Sequence, residues 1–173
     1  MERVICGDQW LALVERRHGS KDVAVIRAGD EALLVPLTAD RRVLLTVEPS
    51  PALGRDVLIL PGGEVAAGEL SLETANRELQ EEIGYRAGRL DFLATIHPWS
   101  KYLTAACHVY LARDLQPARL AGDEDYPISV AAHPLASFEG LIATGQLSDA
   151  RVIAALYLAR RYLQWEQQAA HPG

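Results

Sequence analysis

Three glutamates fall within five residues in the stretch RELQEEIG: Glu78, Glu81 and Glu82 stand at i, i+3 and i+4. On a helix these positions are neighbours, and like charges there repel at a cost of about 0.2–0.5 kcal/mol per pair. Such a patch is either a solvated surface or a place for something positive. Carboxylate oxygens suit Mg²⁺, a hard cation held by one or two carboxylates that keeps positions for water and phosphate oxygens. A cation there would stabilise charge on phosphoryl oxygens and help generate hydroxide at neutral pH. Just upstream, PGGEVAAGE supplies Gly62 and Gly63. Glycine carries no Cβ, so backbone carbonyls there can approach the same site. Arg77 can pair with a nearby carboxylate, and Glu69 and Glu81 are the candidates, Glu81 lying at i+4.

The surrounding stretch, GEVAAGELSLETANRELQEEIGY, has an ordered pattern. Gly63 is followed after five residues by Glu69, after seven more by Arg77-Glu78, then Leu79, Glu81-Glu82, Gly84 and apolar Tyr85. The chain resembles the Nudix hydrolases, whose box it matches at nine defined positions over 23 residues. The resemblance implies an α/β/α sandwich with a mixed sheet, a catalytic loop–helix–loop and C-terminal helices. It implies Mg²⁺, or Mn²⁺, as cofactor, with Glu78 and Glu82 as principal ligands, Glu81 as a further ligand or water-activating group, and the Gly62 carbonyl as another ligand. Gly63, Glu69, Arg77 and Gly84 would hold the loop–helix–loop shape. The implied reaction is hydrolysis of a nucleoside diphosphate linked to another group.

Beyond the box the chain is similar to the ADP-ribose pyrophosphatase and ADP-compound hydrolase branch, through its N-terminal strands, LPGGEVAAGE, ANREL and the acidic loop GDEDY. That likeness implies a homodimer formed with the N-terminal strands, residues 1–30. It also implies a loop acid that orients the attacking water, for which Glu124 is the choice. Trp99 and Tyr102 are candidates to stack on a base, against ordinary loop packing. Arg55 is a candidate to meet phosphate or a partner subunit. The chain departs from the branch on the substrate side: Ile59 stands where a glutamate is common, Val47 and Ser50 where arginines are usual, and Ser100 near an expected proline. The substrate expected is ADP-ribose, NADH, a diadenosine polyphosphate or a nucleotide sugar. The alternatives are a nucleoside triphosphate pyrophosphohydrolase and a module that senses nucleotides without cleaving them; retention of every box carboxylate argues against the last.

The elements that must position these groups are legible in outline. QWLALVERR, DVAVIRA, EALLVPLT, RRVLLTVE and DVLIL read as strands separated by turn residues. Ser71 reads as the cap of a helix closed by Gly84, with Leu72, Ala75, Leu79 and Ile83 as its apolar stripe and the glutamates about 100° away. LDFLATI and LTAACHVYLA read as further strands, ISVAAHP as another, LASFEGLIATG as a short helix, and Ser148 as the cap of a long helix to about Gln168. Its apolar positions are Val152, Ala155, Leu156, Ala159 and Leu163. Strands around a central helix with helices at the end give one mixed α/β layered domain over residues 1–173.

With 173 residues, 49% of them hydrophobic, the chain can bury a substantial core. Its net charge of −6 argues against a broad basic surface for nucleic acid or anionic lipid. Cys6 and Cys107 do not make a disulfide framework or a metal-ligand set, and Cys107 reads as a buried thiol. His97 and His108 read as structural. The N-terminus lacks the apolar run of a signal peptide and no stretch is long enough to span a bilayer, so the location expected is the cytoplasm.

Overall fold

A computed structural model of the chain describes residues 2–122 and 126–170. Strands β1 (Glu2–Gly7), β2 (Leu11–His18) and β3 (Lys21–Ala28) form an antiparallel meander. The meander ends there. Strand β4 (Glu31–Pro36) joins a mixed four-stranded sheet in the order β7–β4–β9–β8, with β7 (Gly62–Glu64), β8 (Tyr85–Ile96) and β9 (Cys107–Pro117). The β4–β9 pair is parallel and the others antiparallel. A third sheet places β5 (Arg42–Ser50) between β6 (Arg55–Ile59) and β10 (Ser129–Pro134). The glycine-rich PGGEV holds the short strand β7, because Gly62 and Gly63 pair with Leu33 and Ala32.

The four-stranded sheet is covered on both faces. On β4 and β9, Leu33, Val35, Val109 and Leu111 face the long helix α3 (Ala150–Ala170), while Ala32, Leu34, Tyr110 and Ala112 face helix α1 (Ser71–Glu82). Successive strand residues point to opposite faces, so burial on both sides demands a nearly continuous apolar run. That is why EALLVP shows no polar alternation. The side of α3 also receives Leu135 from a 3₁₀ turn (Leu135–Ser137) and Phe138, which precedes the short helix α2 (Glu139–Ala143). The architecture is a mixed α+β fold with a mixed sheet and C-terminal helices.

Local chemistry refines the helix ends. The cap of α1 is Leu70, whose N–H donates to the Glu73 carboxylate at 3.1 Å; Ser71 is already helical, and its hydroxyl meets that of Tyr110 at 2.7 Å. Leu72, read from sequence as part of the apolar stripe, is exposed, and the helix packs through Ala75, Leu79 and Ile83. Gly84 ends it at φ +76°, a conformation that side chains with a Cβ rarely adopt. For α3 the capping group is Asp149, not Ser148: its Oδ1 accepts the N–H groups of Arg151 and Val152. All five apolar positions read for α3 are buried. Burial pushes the Cys107 thiol up to about 12, in keeping with an inert core residue. Among the described residues no helix is long and apolar enough to cross a membrane.

Arg113 on β9 clasps Asp91 of β8 and Glu166 of α3, and Arg89 bonds both carboxylates as well. Burial pushes the Asp91 carboxyl up, but hydrogen bonds from Arg113 and Arg89 outweigh it and hold the group below its ordinary value. The Arg113 hydrogen bond lowers Glu166 too. The folded chain therefore binds these protons less readily than the unfolded chain. Their stabilisation is complete above the ordinary carboxylate range and lost as pH falls below it. Thermal melting should be level down to pH about 5 and fall below about 4. Asp91→Asn should lower the plateau and flatten the acid limb; an acid limb identical to that of the wild type would contradict this account.

Candidate functional site

The glutamates of α1 do not lie on a solvated face. Glu78 and Glu82 are 9% and 6% exposed, although neither belongs to the apolar stripe. What covers them is the backbone at residues 61–63. Leu34 donates its N–H to the Pro61 carbonyl at 2.9 Å, which holds the loop against β4. Gly62 N–H then donates to Glu82 Oε2 at 3.2 Å. A Cβ on Gly63 would stand 2.3 Å from Glu78 Oε1, and one on Gly62 would stand 2.2 Å from the Ala32 carbonyl oxygen. The two glycines are thus required by close approach on opposite sides: Gly62 by the neighbouring strand, Gly63 by the carboxylate.

Arg77 resolves the pairing left open by sequence, since it takes both candidates. Its guanidinium reaches Glu69 at 3.3 Å and Glu81 at 2.9 Å, and its Nη1 lies 2.8 Å from Glu78 Oε1. The hydrogen bond to Glu69 is the largest influence holding the guanidinium protonated above its usual value, and the same bond lowers the Glu69 carboxyl. One cation therefore ties the loop before α1 to two of the three clustered carboxylates.

Glu78, Glu81 and Glu82 line one cleft of about 240 Å³, closed by Arg119, Gly122, Tyr126, Pro127 and Ile128. The far wall is held to the helix by backbone bonds: Ala118 N–H to the Gly84 carbonyl at 2.9 Å and Leu120 N–H to the Gln80 carbonyl at 3.2 Å. Among the described residues no three acidic, histidine or cysteine groups converge as a ready-made cation cage. Glu78 and Glu81 lean on Arg77, and Glu82 on the Gly62 amide. The donor set nevertheless fits a hard divalent cation: three carboxylates on one cleft, two of them nearly buried, beside a loop whose glycines leave the backbone bare.

The other sequence candidates lie elsewhere. Arg55 lines a separate groove with Leu45, Val47 and His133, and reaches Ser148 Oγ at 3.4 Å. Trp99 and Tyr102 pack on each other, ring centroids 4.9 Å apart, in the turn after β8, where the Tyr102 carbonyl accepts the Ile26 N–H. Glu124 lies outside the described residues. His108 bonds Thr95 and stands 3.6 Å from Asp30, in keeping with a structural role.

Three residues at or behind the cleft escaped the sequence reading. Arg119 and Tyr126 line it. Glu48 of β5 is 8% exposed, and its Oε2 accepts the Tyr126 hydroxyl at 3.1 Å. A signal for Glu48 did exist: it is the lone acid in the apolar run VLLTVE.

The NUDIX domain family matches residues 28–156. The chain is similar to the ADP compounds hydrolase NudE of Escherichia coli, 32% identical over 137 residues, covering 78% of this chain and 72% of that one. It is similar to the ADP-ribose pyrophosphatase of Bacillus subtilis, 27% identical over 164 residues, covering 92% and 86%. A crystal structure of an ADP compounds hydrolase superposes with a TM-score of 0.83 at 25% identity, covering 96% of this chain and 93% of that one.

The two glycines should respond differently to substitution. Gly62→Ala drives a Cβ into backbone and should lower the melting temperature by about 5 °C or more, equivalent to roughly 2 kcal/mol. Gly63→Ala meets only the end of a side chain and should melt within about 3 °C of wild type while displacing Glu78. Equal losses in a thermal unfolding comparison would refute this assignment of their roles.

Proposed function

The chain belongs to the NUDIX domain family, and on that premise we propose that it is a divalent-cation-dependent pyrophosphatase that cleaves ADP linked through its diphosphate to a second group. The observation that carries this reading is the single cleft holding Glu78, Glu81 and Glu82 against the bare backbone of Gly62 and Gly63. Relatives that act on ADP compounds and ADP-ribose support the substrate class. ADP-ribose is the leading candidate, with NADH, diadenosine polyphosphates and nucleotide sugars in the same chemical class.

Glu78 and Glu82 would hold Mg²⁺ or Mn²⁺, with Glu81 and the Gly62 carbonyl as further groups. When bound, the cation supplies charge stabilisation at the phosphoryl oxygens and a more acidic water. Arg77 orients Glu78 and Glu81. Arg119, on the rim beside the carboxylates, offers a guanidinium to the second phosphate. A water oxygen bonds to one phosphorus, the bridging P–O bond breaks, and two phosphomonoesters leave. Glu81 would take the proton from that water, and Glu124 is the loop acid proposed to orient it.

The assay is product analysis with Mg²⁺ over a substrate panel. AMP and ribose 5-phosphate from ADP-ribose are the expected products; nucleoside monophosphate and pyrophosphate from triphosphates would support the house-cleaning alternative instead. Glu82→Gln should fold as wild type and lose most turnover, by about 10²-fold or more. Near-normal turnover would remove Glu82 from the cation site.

We also propose a homodimer built on residues 1–30. On β2, Ala12 and Val14 are buried, whereas Leu11 and Leu13 point the other way and are exposed, along with Ile5 and Trp10. An apolar group of this kind on an otherwise charged sheet is a candidate subunit contact. Light scattering should give a dimer mass, and Leu11→Glu with Leu13→Glu should shift it to a monomer; a monomeric wild type would end this proposal. The free thiols Cys6 and Cys107 suit the reducing cytoplasm.

A further inference from the structure

Strand β5 sends Val43 and Leu45 toward α3 and Leu44 toward α1. By the two-residue period of a strand, Thr46 and Glu48 face the same side as Leu44. That is the side on which the glutamates of α1 lie. Thr46 is accommodated by a long hydrogen bond from its hydroxyl to the Ile59 carbonyl, 3.5 Å. Glu48 is only half accommodated. Its Oε2 accepts the hydroxyl of Tyr126, which lines the cleft with Glu78, Glu81 and Glu82. Its Oε1 is buried and has no hydrogen-bond donor among the described residues.

A buried carboxylate oxygen without a donor is costly, because desolvation is not offset. The cost is greater beside a cleft that already gathers three other carboxylates. Packing alone offers no reason for it: a leucine or glutamine would fit an apolar strand better. A structure tolerates such a group when a donor arrives from outside the protein.

We propose that Glu48 is a positioning residue of the cation site, its Oε1 accepting a hydrogen bond from water carried in by the bound cation while Tyr126 fixes Oε2. The proposal rests on the cation reading of the cleft given above. Mg²⁺ and Mn²⁺ keep several waters when bound by few carboxylates, and those waters are donors only. A carboxylate behind the ligands, fixed by one hydrogen bond and lacking a donor at its other oxygen among the described residues, is suited to receive one. Outer groups of this kind typically change metal affinity by 10–100-fold when removed.

The test uses Mn²⁺ as probe, its free concentration followed by electron paramagnetic resonance, with melting measured without and with the ion. Glu48→Gln should bind Mn²⁺ roughly tenfold more weakly than wild type, within the range for outer groups. Its cation-free melting temperature should be unchanged or raised, because an uncompensated charge has gone. Tyr126→Phe, which frees Oε2 without touching the charge, should weaken Mn²⁺ binding severalfold. Glu82→Gln separates the two readings. If Glu82→Gln loses Mn²⁺ and Glu48→Gln binds it as wild type does, the cleft keeps its cation and the part assigned to Glu48 is overturned. If wild type itself fails to bind Mn²⁺, both fall. A lowered cation-free melting point with unchanged affinity would make Glu48 a structural group only and would likewise overturn the proposal.

Discussion

The backbone of Gly62 and Gly63 lies between a strand and a helix that leave no room for a side chain. On one side is the Ala32 carbonyl and on the other the carboxylate of Glu78. From this contact the arrangement of the site follows. It brings an amide N–H to Glu82 and excludes water from two carboxylates. A Cβ on Gly62 would strike the strand backbone, and one on Gly63 would displace the Glu78 carboxylate.

The cost of gathering the acids is met by charge and by packing. Arg77 bonds the loop acid Glu69 and faces Glu78 and Glu81. The stripe of Ala75, Leu79 and Ile83 fastens α1 to Ala32, Leu34 and Leu44 on the sheet. Burial of these apolar groups, worth about 1.5–3 kcal/mol for each large side chain, exceeds the few tenths that each like-charge helical pair costs. The helix can therefore keep an unfavourable charge pattern that function needs, because its other side is well packed.

The cleft has two walls of different origin. One is the local unit of loop and helix. The other comes from residues 118–122 and 126–128, the first of these segments carried past the end of α1 by backbone bonds to Gln80 and Gly84. This second wall supplies Arg119 and Tyr126, and through Tyr126 it reaches Glu48 on β5. Residues from three separate parts of the chain thus meet around the same carboxylates. The exposed apolar residues of β1 and β2 stand apart from it.

What the amino-acid sequence determined by itself was the local unit. Gly63, Glu69, Arg77, the three glutamates and Gly84 lie within 22 residues, and their roles depend on helical spacing and on the missing Cβ of glycine, both local properties. The strands other than β1 and β7, together with α1 and the buried positions of α3, were legible for the same reason, since a period of two or of 3.6 residues is written along the chain. Tertiary structure decided the rest. It joined β4 to β9 rather than to β3, made a strand of the glycine-rich loop, placed Arg55 in a different groove and Trp99 against Tyr102, and set Glu48 behind the cleft. These outcomes depend on pairings between residues far apart in the chain, where no spacing rule operates and only the packing of faces selects the partner.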